Sequence, residues 1–327
     1  MADSNLKIAL IGLDNAGKTS IIRTLNRTFN IKGKITPTKS VERTTFTLFS
    51  HKGSIWDYGG QQSYRSDYLE NPDRYLTDIQ YIFFVVDVQD GIRFPHATDY
   101  FKQVYEIIHG QNPSVIVTVL FHKMDPEISD SIELNKSIDR ISLEFQHIVE
   151  NNEIGFYRTS IYDPISLLNS VSLPILGNQP IYNMISMLLA EFAMSHSIEY
   201  IAVLVNELFE LGSFRLKSSK ENFLQASRDF YYQVTASKNI LQSGEYDVKG
   251  YKFVIVNRNV LDYNYCLNYA HPIGQLENLP SKEELRGLFQ VINEKIEEFH
   301  LILFFFYLSN LNFFSKCAKI FLLRYFE

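Results

Sequence analysis

The stretch "LKIALIGLDNAGKTS" (Leu6–Ser20) decides the fold. Leu6–Ile11 is an apolar run of strand length, and Gly12-x-x-x-x-Gly17-Lys18-Thr19 follows it directly. Lys18–Leu25 then reads as a helix. A chain that leaves a strand through two glycines, a lysine and two hydroxyls, and enters a helix at once, has the features of a phosphate cradle. Gly12 permits the sharp turn. Backbone N–H groups around Asn15–Lys18 can point at phosphates from the helix N-terminus. The Lys18 ammonium would reach the β and γ phosphates, and the Thr19 hydroxyl would bind Mg2+, with phosphates completing the octahedron. Asp14, Ala16 and Ser20 complete the loop. The bland alternative, a glycine-rich turn before a helix, is disfavoured by the strand on one side and the helix on the other.

Working outward, "TTFTLF" (Thr44–Phe49) and "SIWD" (Ser54–Asp57) read as strands flanking a turn at "HKG". "YIFFVVDV" (Tyr81–Val88) and "SVIVTVLF" (Ser114–Phe121) are near-continuous apolar runs, as expected of strands covered on both faces. Helices are expected at Thr98–Ile108 and Ile132–Val149, and a short strand at Gly155–Ser160. Alternating strands and helices predict a mostly parallel sheet with helices on both faces. The turn residues of "LPILGNQP" (Leu173–Pro180) mark the end of a first domain, residues 1–180. Ile181, Ile185, Leu188, Leu189 and Phe192 form a helical stripe that opens a second, smaller α/β domain at 181–300. There, "YIAVLVNELF" reads as one strand, and "YKFVIVN" and "YNYCLNYA" as a pair. Ser218 with Glu221 and Ser281 with Glu284 have the spacing of capping boxes. Residues 301–327 are an apolar tail.

Three further segments bear on which nucleotide the loop would hold. "WDYGGQ" (Trp56–Gln61) ends a strand with an aspartate. Asp57 would hold a metal, directly or through water. The Gly60 N–H would sense a γ-phosphate, and Gln61 would orient an attacking water. "FHKMD" (Phe121–Asp125) offers Asp125 as a carboxylate that accepts from guanine N1–H and the exocyclic amine, a donor pair adenine lacks. Lys123 would lie over the base. In "RTSIYD" (Arg158–Asp163), a backbone N–H near Ile161, beside Ser160, would meet guanine O6.

Together, in this order, the four segments resemble a small GTPase, and in detail the Rag/Gtr branch. His122-Lys123-Met124-Asp125 stands where most small GTPases have Asn-Lys-x-Asp, and "TSIYD" (Thr159–Asp163) is similar to the Rag-type closing motif. The extra α/β domain stands where Rag proteins carry a roadblock (longin-like) domain. "GLDNAGKTS" and "TPT" (Thr36–Thr38) are more similar to Arf/Sar GTPases, with Thr38 the candidate switch threonine on Mg2+ and nucleotide. The resemblance implies a GTP/GDP switch with slow hydrolysis, in which Lys18 and Mg2+ neutralise developing charge and Gln61 positions water. It also implies homo- or heterodimerisation with a Rag-like GTPase, roadblock-type scaffold proteins, and a GAP and exchange factor as partners. His122 would contact the base and tether the phosphate loop only in part, as an imidazole replacing an amide. A non-hydrolysing dimeric scaffold and an Arf-like membrane-trafficking GTPase are the alternatives.

Composition bounds these readings. The 327 residues are 46% hydrophobic with a net charge of −6, and no basic stripe points to nucleic acid. Cys266 and Cys317 form no metal spacing or disulfide framework, which fits reduced thiols in the cytoplasm. Neither a signal peptide nor a lipidation motif is expected at the termini. "FHLILFFFYLSNLNFF" (Phe299–Phe314) is shorter than the ~20 residues of a membrane span and is followed by Lys316, Lys319 and Arg324. It reads as a helix packed on the second domain or a partner, with peripheral membrane contact and a true span as alternatives. Arg65 reads as a solvated helix charge.

Overall fold

The computed structural model describes residues 6–29, 41–48, 51–150, 152–177, 180–205, 209–216, 221–236, 243–260 and 263–310. Thr38, Ser218, Cys317 and the end of the tail lie outside the described residues. The chain begins β1 (Leu6–Gly12), α1 (Lys18–Phe29), β2 (Val41–Leu48), β3 (His51–Tyr58), α2 (Gln62–Glu70) and α3 (Pro72–Tyr75). It continues β4 (Tyr81–Asp87), α4 (Phe94–Gln111), β5 (Ile116–His122), α5 (Ile132–Val149), β6 (Ile154–Thr159) and α6 (Pro164–Leu176). These strands form one sheet in the order β2-β3-β1-β4-β5-β6, parallel except for the β2–β3 hairpin. It is the parallel-dominated sheet the sequence predicts. The central strands are buried on both faces because their side chains alternate between two cores. Ile8, Leu10 and Phe83 face α1 and α6, while Ala9, Ile11 and Phe84 face α4 and α5. On that second side Phe101 packs edge-on to Phe84 at 5.1 Å and to Phe145 at 4.9 Å.

One local expectation changes. His51-Lys52-Gly53 is not a turn but the start of β3, paired with β2 as far as His51–Leu48. Helix α6 runs through Pro174 and ends at Leu176, inside the segment Leu173–Pro180. An interior proline costs a helix about 3 kcal/mol. Here Leu168, Val171, Ile175 and Leu176 are all buried, and that packing outweighs the lost N–H.

The second half comprises α7 (Pro180–Ser195), β7 (Tyr200–Val205), β8 (Phe209–Arg215), α8 (Glu221–Ala236), β9 (Gly244–Val248), β10 (Tyr251–Val260), β11 (Tyr263–Pro272) and α9 (Lys282–Asn310). Its five strands form an antiparallel sheet in the order β8-β7-β11-β10-β9. The single strand expected over Tyr200–Phe209 ends at Val205, and β8 and β9 are additional. In β8 a Cβ at Gly212 would sit 2.7 Å from Ile185 Cγ2, so the glycine admits the close crossing of α7. The Ser281–Glu284 capping box forms: the Ser281 N–H donates to Glu284 Oε2 at 2.7 Å, and the Glu284 N–H donates to Ser281 Oγ at 3.2 Å. From there α9 continues unbroken to Asn310, across the expected boundary at residue 300. Among the described residues no helix is long and apolar enough to cross a membrane.

The apolar core on the α1/α6 side of the first sheet is continuous with that of the second. A buried carboxylate sits at this junction. Glu210 of β8 is fully enclosed and accepts from Tyr182 Oη at 3.0 Å and Ser213 Oγ at 2.5 Å. Asn169 of α6, with its amide nitrogen toward the carboxylate, donates at 2.7 and 2.8 Å. Burial pushes the Glu210 carboxyl up to about 7. Three elements, α6, α7 and β8, are thereby pinned by one group, since a buried carboxylate without its donors is costly.

Candidate functional site

Every sequence-predicted residue that the structure describes falls at the C-terminal ends of β1, β3, β5 and β6, the edge where open α/β sheets bind ligands. The loop after β1 is shaped by close approaches. A Cβ at Gly12 would lie 2.3 Å from the Val85 carbonyl oxygen, so only glycine lets β1 turn beside β4. Asn15, Ala16 and Ser20 lie along the same turn and the start of α1. Lys18 is buried, and its ammonium donates to the Gly12 carbonyl at 3.0 Å and the Leu13 carbonyl at 2.8 Å. Desolvation drives the amine down to about 8, against the pull of Asp57 and Asp14. An anion in the loop would supply the missing counter-charge and raise it. Phosphate affinity is therefore expected to fall as pH rises above about 8, by up to tenfold per unit, until the bound-state value is passed. Nucleotide titrations at pH 7.5, 8.5 and 9.5 measure this slope, and a flat profile would mean that Lys18 does not meet the phosphates.

Next to the lysine, the Thr19 hydroxyl donates to Asp57 Oδ2 at 2.9 Å. This pair joins helix and strand 38 residues apart and offers two hard oxygen donors, the set that suits Mg2+. Among the described residues no cluster of three or more His, Cys, Asp or Glu is placed to hold a metal. Gly60 lies directly on the loop: a Cβ would meet the Asp14 nitrogen and the Leu13 carbonyl, each at 2.4 Å. From α2, Tyr68 Oη accepts from the Gly59 N–H at 3.0 Å and Arg65 Nε donates to the Gly60 carbonyl at 3.0 Å. The Arg65 guanidinium also lies 5.0 Å from the centre of the Tyr100 ring. Arg65 is thus a strut for the Gly59–Gly60 turn rather than a solvated charge. Gln61 is exposed at the N-terminus of α2, on the rim of a cleft of about 390 Å³ that Asp14, Lys18, Thr19, Asp57 and Gly60 also line.

The other end of the site is built by β5 and β6. His122 is buried, its Nδ1 3.0 Å from Thr159 Oγ1, and the edge of its ring lies against Gly17, where a Cβ would come within 2.4 Å of Cδ2. Burial, with Lys123 adding to it, pushes the imidazole down to about 4, so it is neutral near pH 7. Of the two roles expected of His122, the one on view is the tether, which ties the phosphate loop to β6. Lys123 has a positive φ of 63° and its Nζ donates to Asp87 Oδ2 at 2.6 Å. The Asp125 carboxylate accepts from Ser160 Oγ at 2.6 Å and from Gln89 Nε2 at 3.1 Å. Ser160 in turn accepts from the Tyr162 N–H at 3.0 Å, which fixes the backbone around Ile161. Two participants escaped the sequence reading. Gln89 reaches Asp125 across 36 positions, and Arg93, which precedes α4, pairs with the Asp14 carboxylate and donates to the Asp14 carbonyl at 3.3 Å. Neither belongs to a contiguous motif, and "DVQDGIR" (Asp87–Arg93) gave no signal of its own.

A phosphate-loop turn facing a metal-suited aspartate, with the Asp125 carboxylate at the far end of the same sheet edge, is the arrangement of the P-loop small-GTPase class. The Gtr1/RagA G protein conserved region matches residues 7–229, more than half of the chain, and the protein belongs to this Rag/Gtr family. Among proteins it resembles, ADP-ribosylation factor-like protein 2 of Dictyostelium discoideum is 30% identical over 145 residues, covering 44% of this chain and 75% of that protein. ADP-ribosylation factor-like protein 6 of Caenorhabditis elegans is 28% identical over 125 residues, 38% of this chain and 64% of that protein. The chain therefore spans less than two thirds of the second relative's length. A solved structure of the Arl6 BBS3 small GTPase from Trypanosoma brucei, with bound nucleotide analogue GppNp, aligns with a TM-score of 0.41 at 22% identity, covering 52% of this chain and 95% of that one.

Proposed function

We propose that this GTPase binds GDP and GTP with Mg2+, hydrolyses GTP slowly and works as a nucleotide-dependent switch that dimerises through its second half. The observation that carries the reading is the seating of Gly60 on Leu13–Asp14, beside the Thr19–Asp57 pair. A γ-phosphate entering this corner must press on the Gly59–Gly60 turn, and through Arg65 and Tyr68 on α2. Occupancy of the loop is thereby converted into a displacement of surface residues. For hydrolysis, Lys18 would turn from its two loop carbonyls toward the phosphates, and Gln61 would swing from the rim to orient water. Bound Mg2+ would supply charge neutralisation between the phosphates, held by Thr19 and Asp57, with Thr38 the expected further ligand. At the base, guanine would displace Gln89 from Asp125, and the backbone near Ile161 would meet O6. Support for a roadblock or longin-like second half comes from its order: a leading helix, a hairpin, a helix, three strands and a closing helix on one antiparallel sheet. Homo- or heterodimers with a second Rag-like chain, roadblock-type scaffolds, a GAP and an exchange factor follow as partners to test.

Two measurements decide between switch and scaffold. Protein purified, denatured and resolved by ion-exchange chromatography should release GDP or GTP; adenine nucleotides would overturn the guanine reading. In single-turnover assays Gln61→Leu should lower hydrolysis by about tenfold or more while nucleotide affinity changes less than about threefold, because Gln61 would touch water and not base or loop. Equal rates for the two proteins would remove Gln61 from the chemistry.

A further inference from the structure

We infer that Arg228 of α8, in the second half of the chain, is a positioning residue for recognition of the guanine base. The inference rests on the guanine reading above and adds to it a part played from outside the first sheet. The backbone segment Ser160–Asp163, which would meet guanine O6, carries two side chains with little burial to hold them: Ile161 is 36% and Tyr162 42% exposed. Hydrophobic packing therefore does little to fix this turn. Hydrogen bonds hold it from below, with Asp163 capping α6 by accepting from the Ser166 N–H at 3.1 Å. From above it is held by Arg228, whose guanidinium carbon lies 5.6 Å from the centre of the Tyr162 ring, within the range of a cation–π contact.

The contact leads straight to the base-reading carboxylate. The Tyr162 N–H donates to Ser160 Oγ at 3.0 Å, and the Ser160 hydroxyl donates to Asp125 Oδ1 at 2.6 Å. A guanidinium on α8 is thus two hydrogen bonds and one ring away from the group expected to accept guanine N1–H. Arg228 is itself oriented: its Nε is 3.6 Å from Asp229 Oδ1, and Lys249 of the β9–β10 turn pairs with the other oxygen of Asp229 at 2.7 Å. Arg215 of β8 adds a second positive charge toward half-buried Asp163. Meanwhile α8 also lies against α1, the helix that follows the phosphate loop. Anything that shifts α8, including assembly through the second half, would be read as a change in base affinity.

The test uses the full chain and two probes, GDP and the diphosphate of 2-aminopurine riboside, which keeps the exocyclic amine but lacks the 6-oxo group and the N1–H. Arg228→Glu places a carboxylate against the negative ring face of Tyr162. It should lower the preference for GDP over the 2-aminopurine nucleotide by about two- to fivefold, the range of one exposed cation–π contact, because the 2-aminopurine base keeps only the exocyclic amine for Asp125 and loses less. Tyr162→Leu, which keeps apolar bulk without the ring, should do the same, and Arg228→Lys should restore most of the preference. Equal weakening of both nucleotides, or an unchanged preference in Arg228→Glu and Tyr162→Leu, overturns the inference and leaves guanine recognition standing. A wild-type protein with no preference for GDP over the 2-aminopurine nucleotide overturns the guanine reading itself.

Discussion

Asp125→Asn is expected to weaken GDP binding by two to four orders of magnitude and to make xanthosine diphosphate the tighter ligand. The carboxylate would accept two hydrogen bonds from guanine, and a hydrogen bond to a charged group is worth about 1.5–3 kcal/mol, or about 3–6 kcal/mol for the pair. An asparagine keeps one acceptor but opposes the exocyclic amine with a donor, whereas xanthine offers a carbonyl at that position. The surroundings tolerate the change. Ser160 can still donate to the amide oxygen, and the Gln89 amide keeps its bond to the Lys123 carbonyl. Competition binding with GDP, ADP and xanthosine diphosphate reads the outcome. A uniform loss across all three would place Asp125 in the structure of the loop and not in base selection.

Gly17→Ala should be a severely damaging single-methyl change in the phosphate loop. Gly17 has φ +96°, where an L-residue is strained by about 1–2 kcal/mol. The added Cβ would also meet His122 at 2.4 Å, and the ring cannot withdraw without giving up Thr159 in a site where it is 1% exposed. Overpacking of this kind costs about 1–3 kcal/mol more. Together they predict about 2–5 kcal/mol of destabilisation and loss of measurable nucleotide binding. A double-mutant cycle separates the parts. Adding His122→Ala should recover the steric share and leave the backbone strain, giving a coupling energy above about 1 kcal/mol in urea unfolding. Additive effects would mean that ring and loop do not meet in solution.

These two changes also mark how much of the site was legible in advance. Gly17 and Asp125 were readable because each belongs to a short contiguous motif whose chemistry is fixed by spacing alone. His122 was readable as a departure from a pattern, with a partial tether to the phosphate loop implied by the resemblance, but that its ring meets Gly17 was decided by the fold, which brings the ends of two different strands together. Arg65 was misread for a related reason. On α2 the sequence shows an arginine among polar residues, and only the fold puts Tyr100 and the Gly60 carbonyl beside it. Strand β8 carried no expectation in the sequence, and only the fold shows Gly212 as the gap through which α7 crosses it.

From the sequence by itself came the strand–loop–helix of Leu6–Leu25, the burial of the central strands, the order of the nucleotide segments and the presence of a second α/β unit. All of these depend on periodicity or on residues within a few positions of each other, where backbone geometry dictates what neighbours can do. Tertiary structure alone decided the pairs that span the chain: Arg93 with Asp14 at a separation of 79 residues, Gln89 with Asp125 at 36, Tyr182 with Glu210 at 28, and Arg228 with Tyr162 across the two sheets. Such contacts are set by where each element ends and by how the shared core draws the elements together, and no local pattern encodes that distance.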